Sequence, residues 1–562
     1  MKYMSGGYSA GQALAWRGIL YLCLCFVYFY GAQTGKTFAG EETIEATGIS
    51  NKSPLVFSFD DVDALAKKLA AEKYLPPETA APDLLNSLSF DQWLDFSYDF
   101  DPYDRWKTAK TSLYPRFHTP GYVFSQIAKM NIVTRDDVEG LEFSPELFST
   151  DDKDLAGKIC TPNMGFAGFT LCPVPPKAGN SSPGIMAASH FQFCAKNARF
   201  GPFARPVTLN AALPSGELFS HFREFWLCEP GDDSEGFTVY ALMDSPALTG
   251  AFEMVITTGS AQVVDVRSTF YTRQGTASPA KIGLAPISAM YLYSEIEGGG
   301  RADYRPEIHN ADGLLAVSDK GEWLWTPLKN PQRLAISSAS LNNPRGFGLI
   351  QRDNNFDHYQ DLKNRYDRAS SLWVEPVGEW GPGKLELMEI PSAKDYHSNI
   401  MAYWTPEPAA ADAPVPTEGT TDPGKPFLSL AYKLYWMPPA TKLHELAFTR
   451  DTRIQRSVED KSVTFVIDFE GDELNKLTAD TGLTSVVEFP KETTLLEKQL
   501  MKNEVTDGWR LTLKFSLPQA GVLDSLLAAR EGPPHLAFSA YLKKGENLVE
   551  ALTEVWRYNL IP

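Results

Sequence analysis

Val263-Val264-Asp265-Val266-Arg267-Ser268-Thr269-Phe270-Tyr271 alternates apolar and polar side chains. Val264, Val266 and Phe270 fall on one face of an extended chain, and Asp265, Arg267 and Thr269 fall on the other. A period of two over nine residues is the mark of a half-buried strand. Two further runs precede it, Phe237 to Met243 and Ala251 to Thr257, each bounded by Gly, Pro, Ser or Asp. From Phe90 onward the same texture continues, with short aromatic and β-branched runs between turn residues. Many short strands without intervening helical patterns imply a mainly β chain of sandwich or barrel type. They exclude a doubly wound nucleotide-binding fold, which needs repeated strand–helix units.

Composition agrees. Of 562 residues, 12% are aromatic, and the fraction of apolar residues, 43%, is that of a globular protein. The 70 acidic residues outnumber the 52 basic ones, for a formal charge of −18. Such a surface repels phosphate backbones and anionic membranes, so nucleic acid is excluded as a partner and a neutral ligand such as a sugar is compatible.

One helix is expected over Asp60 to Lys73, where Val62, Leu65, Ala66 and Leu69 recur at helical spacing and Asp60 stands at the N-cap position. The first forty residues have a different character. Lys2, Arg17 and Lys36 are their only charges, and Ile19 to Tyr30 is an uncharged apolar run of twelve residues. That run is short for a membrane span and suits the core of an export signal. Residues 1–39 are therefore read as a signal peptide, with an uncleaved anchor as the alternative. Cys160, Cys172, Cys194 and Cys228 then face an oxidising compartment, where one or two disulfides are expected, with buried thiols as the alternative. The spacings match no zinc pattern, and neither metal nor cofactor is expected.

Composition shifts again at Thr405. Residues 406–426 are rich in Pro, Ala and Thr and read as a semi-rigid linker. The chain then divides into a large β domain over 54–405 and a smaller one over 427–562. The second contains strand-like runs at Leu428 to Tyr435, Val463 to Phe469, Trp509 to Phe515, Leu536 to Leu542 and Glu554 to Asn559. Its size and strand count suggest an immunoglobulin-like sandwich.

No phosphate-binding loop, dinucleotide fingerprint, nucleophile elbow or zincin motif occurs, which leaves carboxylate chemistry or binding. One region carries residue types suited to a sugar: aromatic planes for the ring faces and charged groups for the hydroxyls. It holds Tyr304, Arg305, Glu307 and His309, then Trp323, Trp325, Arg352 and Trp380, and Asp395 beyond them. Trp323 and Trp325 are expected to lie on opposite faces of one strand, with at least one in the core.

Several stretches resemble the periplasmic glucan biosynthesis proteins of the G and D type, which serve the making of osmoregulated periplasmic glucans. Among them are Phe57-Ser58-Phe59-Asp60-Asp61-Val62, Gly165-Phe166-Ala167-Gly168-Phe169, Phe222-Arg223-Glu224-Phe225-Trp226 and Tyr240-Ala241-Leu242-Met243-Asp244-Ser245-Pro246. Tyr304-Arg305-Pro306-Glu307-Ile308-His309, Asn343-Pro344-Arg345-Gly346-Phe347-Gly348-Leu349 and Asn399-Ile400-Met401-Ala402-Tyr403-Trp404 follow in family order. The resemblance implies a galactose-mutarotase-like sandwich followed by an immunoglobulin-like domain, a periplasmic location and a β-1,2-linked glucan ligand. It also implies the inner-membrane glucan synthase as a partner. Some members are inverting hydrolases or transglycosylases. In those, a base Asp follows the His of the Pro-Glu-x-His segment and an acid Asp precedes the Asn of Asn-Ile-x-Ala-Tyr-Trp. Here the two positions hold Asn310 and Ser398. An amide cannot deprotonate water, and a hydroxyl is too weak an acid to protonate a glycosidic oxygen. Asp312 and Asp395 are the nearest carboxylates that could substitute. Three readings follow: a non-hydrolytic glucan-binding factor, a glycosidase or transglycosylase with relocated carboxylates, and a catalytically dead scaffold.

Overall fold

The Val263–Tyr271 stretch lies in the strand Gln262–Thr272, which pairs antiparallel with Leu248–Thr258, itself paired with Phe237–Asp244. These belong to a fourteen-stranded sheet that faces a twelve-stranded one across the main core. A four-stranded sheet (Phe448–Ser457, Ser462–Glu470, Trp509–Ser516, Thr494–Lys502) forms a further layer. The computed structural model describes most of residues 57–561. Residues 1–56, 78–84, 99–105, 107–112, 150–163, 174–183, 298–302, 408–425, 519–534, 546–550 and a few shorter gaps lie outside the description. The export segment and most of the 406–426 stretch fall among these. The fold is mainly β, as expected.

Alternation in the fourteen-stranded sheet feeds two cores at once. On the strand Gly313–Val317, Leu314 and Ala316 enter the main core, while Leu315 and Val317 enter a second core with Phe465, Phe515, Phe538 and Trp556. A sheet buried on both faces has nearly continuous apolar strands, as Gly-Leu-Leu-Ala-Val shows.

Leu428–Met437, placed by sequence in the smaller domain, is an internal strand of the large sheet. It pairs with Gln262–Thr272 on one side and Ser371–Val377 on the other. Farther on, Val555–Leu560 pairs in parallel with Trp323–Pro327 and carries the sheet into Leu536–Lys544 and Leu483–Glu488. Among the described residues, hydrogen bonding thus runs continuously through strands on either side of residue 427.

The helix α1 spans Phe59–Ala70 and buries Val62, Ala66 and Leu69 on the outer face of the large sheet, against Trp226, Cys228 and Tyr240. Its N-cap is Ser58 rather than Asp60. The Ser58 amide and hydroxyl both donate to Asp61 Oδ2, at 2.8 and 2.9 Å, which gives the orphan donors at the helix start a carboxylate partner.

Disulfides are absent at the three described cysteines, Cys172, Cys194 and Cys228, which are thiols; Cys160 lies outside the described residues. The reason is placement. Cys172, on a strand of the twelve-stranded sheet, points into the main core, and Cys228, on the fourteen-stranded sheet, points into the cluster beneath α1, so the large sheet lies between them. Burial pushes the Cys194 thiol far up and the Cys228 thiol to about 12, so both stay protonated and inert.

Candidate functional site

Glu307 and His309 lie at the short strand Ile308–His309, which pairs with Tyr291–Tyr293. The His309 ring is fully buried, stacked on Tyr291 at 5.4 Å and met edge-on by Tyr359 at 5.1 Å. Its Nε2 lies 3.0 Å from Glu307 Oε2, and its Nδ1 lies 3.4 Å from Asp312 Oδ1. Burial pulls the ring pKa down, but the Glu307 bond and the charges of Asp312, Glu307 and Glu295 outweigh it, and the value stands at about 9. His309 is therefore an imidazolium at neutral pH, held between two carboxylates.

Asp312 accepts two backbone hydrogen bonds and faces the His309 ring, whose Nδ1 makes no hydrogen bond among the described residues. Asp312 Oδ2 takes the backbone amides of Arg352 and of Asp353, the latter at 2.8 Å. Burial raises its pKa to about 6, against the pull of the His309 charge. Glu295, which accepts the Thr452 amide at 3.1 Å, is pushed to about 8 by burial and by the charges of Glu307 and Asp451.

Arg305 ties three loops together. Its guanidinium meets Asp303 at 2.9 Å, Asp361 at 3.1 Å and Asp395 at 3.0 Å. Asp395, a candidate relocated acid, is thus held by the Arg305 guanidinium rather than left open to a ligand. Tyr304 beside it is 76% exposed and offers an open aromatic face.

The two family acid positions are filled by uncharged groups with other surroundings. Asn310 Oδ1 accepts the Met290 amide at 2.9 Å, while the Asn310 amide donates to Met290 O at 3.0 Å. Its side chain extends the strand pairing sideways and is committed to it. Ser398 is exposed on the turn that precedes Ile400–Pro406.

The remaining sequence candidates divide. Arg352 points away from solvent: its guanidinium makes a bidentate pair with Glu554 at 2.7 and 2.8 Å and lies 3.5 Å over the Trp325 ring. Trp325 is core, 3% exposed. Trp323 shares its face, because residues two apart on a strand point the same way. Both belong to the second core, with Trp323 at its rim, 5.8 Å from Trp373 and 4.5 Å from His444. The expectation of opposite faces is corrected accordingly.

Trp323 and Trp380 also lie far from His309. The Gly313 strand runs from Asp312 to Val317, which pairs with Trp323, a separation of about 16 Å along an extended chain. Trp380 follows the Val377 end of its strand. Its amide donates to Asn343 Oδ1 at 2.8 Å and its indole to Ala431 O at 3.2 Å. Hence Tyr304, Arg305, Glu307, His309, Asp312 and Asp395 form one neighbourhood, and the tryptophans lie outside it.

Sequence reasoning did not select Glu295, Tyr359 or Asp361 as site residues, while Asp353 follows Arg352 within the region it singled out. Glu307, Asp353 and His358 each bring one ligand atom within 4.8 Å of the others, a donor set suited to a divalent cation. His358 Nδ1 already meets Asp353 Oδ2 at 2.6 Å, so this pair is satisfied without one.

Beside this neighbourhood runs a cleft of about 330 Å³ lined by Arg352, Asp353, Asn354, Thr441, His444 and Arg450, among others. Apolar side chains, Leu315, Ile350, Leu443 and Phe448, make up much of the same lining, and a mixture of apolar walls with a few polar groups is what a small-molecule or sugar site requires. The family description Periplasmic glucan biosynthesis protein, MdoG, matches residues 57–560. The chain belongs to this family. As an MdoG-family protein it takes part in periplasmic glucan biosynthesis. Among the described residues no helix is long and apolar enough to cross a membrane.

Proposed function

We propose that this protein is exported to the periplasm, binds a β-1,2-linked glucan chain supplied by the inner-membrane synthase, and does not hydrolyse it by the inverting route of its hydrolytic relatives. One observation carries the reading. Both positions that need a titrating carboxyl hold Asn310 and Ser398, and the Asn310 side-chain oxygen is occupied by the Met290 amide. Binding a neutral oligosaccharide needs shape, stacking and hydrogen bonds, and none of these depends on the two missing acids. Cleavage depends on both, since general acid and base assistance are each worth about a hundredfold to ten-thousandfold.

A second reading, cleavage through relocated carboxylates, draws its support from Asp312, whose pKa of about 6 suits a proton-transfer group. Against it stand the two backbone donors that already occupy Asp312 Oδ2, the burial of Asp312 beside His309, and the Arg305 pair that fixes Asp395. The deciding experiment incubates linear β-1,2-glucan with the protein and with Asp312→Asn and Asp395→Asn variants, then resolves the products. Saturable binding with unchanged chain length supports the proposal. Rapid chain shortening by wild type that either variant abolishes overturns it in favour of the second reading.

A further inference from the structure

The family-type motif Asn343-Pro344-Arg345-Gly346-Phe347-Gly348-Leu349 plays no part in the neighbourhood of His309, and its local structure suggests a different use. Gly346 and Gly348 sit two apart on the strand Gly346–Ile350, beside Ser371–Val377. A Cβ at either position would strike the Trp373 ring. The two glycines therefore make a flat seat on which that indole lies.

Across the sheet the same face presents more aromatic groups. Trp373 pairs in register with Tyr435 on one side, and Gly348 pairs with Leu315 on the other. Val317 then pairs with Trp323, whose ring lies 5.8 Å from Trp373. Tyr435, Trp373 and Trp323 thus line a trough of about 560 Å³, and its rim carries Asn343, Arg345 and Glu375. The trough adjoins the Asp353 cleft. Leu443 lines both, and Trp323 in one touches His444 in the other at 4.5 Å.

We infer that this trough is a distal glucan-binding subsite, continuous with the cleft beside His309, which engages a long chain roughly 16 Å from the family-type centre. The inference rests on the proposed glucan reading and extends it. Aromatic planes flanked by an amide, a cation and an anion suit the apolar faces and hydroxyls of a neutral sugar. With both signs of charge on the rim and a formal charge of −18 overall, the trough does not favour a polyanion. A chain long enough to reach from cleft to trough gains its second contact intramolecularly, so affinity should rise steeply with length.

The test is isothermal titration of the full chain with long and short linear β-1,2-glucans. It compares wild type with Tyr435→Ala, Arg345→Ala and Trp323→Ala, and melting temperatures identify any variant that is simply unfolded. Tyr435, partly exposed in the trough wall, and Arg345, at its rim, are less buried than the core, so Tyr435→Ala and Arg345→Ala keep the assay informative if Trp323→Ala fails to fold. Loss of one stacking face should weaken long-chain binding by roughly three- to tenfold and reduce the ratio of long-chain to short-chain affinity. Folded rim variants that retain the wild-type ratio would overturn the distal subsite while leaving glucan binding intact. A wild type that binds neither glucan would instead remove the proposed function itself.

Discussion

Replacing Arg352 by Met should destabilise the fold strongly at neutral pH and much less in acid. Glu554 has no exposed surface, and its partners are the Arg352 guanidinium, the Thr449 amide at 2.7 Å and His444 at 3.3 Å. Burial pushes its carboxyl up, yet the Arg352 charge and bonds more than reverse this, and its pKa falls from 4.5 to about 2. That difference corresponds to stabilisation on the order of 3 kcal/mol, the size expected when one partner of a buried pair is removed. Because the folded value lies below the unfolded one, the contribution is present above about pH 4.5 and is lost as pH falls through about 2. Met keeps the apolar stem over Trp325 but abolishes the cation–π contact and the bond to Thr449 O at 2.8 Å. Those losses do not depend on pH over this range. Urea unfolding at pH 7, 5, 4 and 3 separates the two parts. At pH 7 the midpoint should drop by about 1 M or more, for a slope near 3 kcal/mol per molar. The gap between variant and wild type should then narrow steadily below pH 5. A gap of constant size from pH 7 to pH 3 would refute the argument, since it would mean that Glu554 is not held ionised by Arg352.

The double variant Asn310→Asp with Ser398→Asp restores both family carboxyl positions, and timed product analysis on β-1,2-glucan should show hydrolysis above wild type. No gain would mean that the surrounding geometry has also changed. Gly346→Ala should lower stability by roughly 1–3 kcal/mol, because its methyl group meets the Trp373 ring; an unchanged melting temperature would show that the indole is not seated there. Alkylation with mass mapping should leave Cys194 and Cys228 unmodified in the native protein and modify both after unfolding without reductant. A disulfide at either would contradict the structure.

Local pattern was legible in the sequence to the extent that short-range geometry creates it. The alternation at Val263–Tyr271 predicted its strand to within a residue at each end, since burial on one face leaves a direct imprint. Helix α1 was also visible, though the cap moved two residues because Ser58 and Asp61 form a reciprocal pair that outranks Asp60. Pairing partners were not legible. Leu428–Tyr435 reads as a strand, but nothing local says that Trp436 lies opposite Gln262. The Pro-rich stretch before it signalled a boundary, yet the sheet continues past it.

The candidate site shows the same limit. Glu307 and His309 were found from residue type and proximity in sequence. Arg352 looked like a ligand group because its partner Glu554 is 202 residues away. Asp395 looked like an available acid because nothing in sequence links it to Arg305, 90 residues earlier. Long-range ion pairs are what turn an apparent catalytic or binding group into a structural one, and they leave no periodic trace.

Charge around His309 leads to a last prediction, about alkaline pH. Asp312, Glu295 and His309 have folded values of about 6, 8 and 9, against 3.8, 4.5 and 6.5 in the unfolded chain. All three are raised, so each contributes stability that is complete below its unfolded value and lost as pH rises through its folded value. The three windows follow one another from about pH 4 to pH 9, and all slope the same way. Glu554 slopes oppositely, but its window lies below pH 4.5, so the two effects do not overlap at neutral pH. Buried His118 and His190, held down at about 3 and 4, slope the other way up to about pH 6.5, so the net decline is expected between about pH 6.5 and pH 9. Glu295→Gln isolates one contributor, because its amide oxygen can still accept the Thr452 amide while the group no longer ionises. Thermal unfolding across pH 6.5 to 8 should show a shallower decline for this variant than for wild type, with the variant gaining most near pH 8. Equal slopes would mean that Glu295 ionises freely in the folded protein. A Glu295 ionised at neutral pH would add an anion beside His309 and favour the imidazolium further, but it would remove the alkaline loss of stability assigned to Glu295.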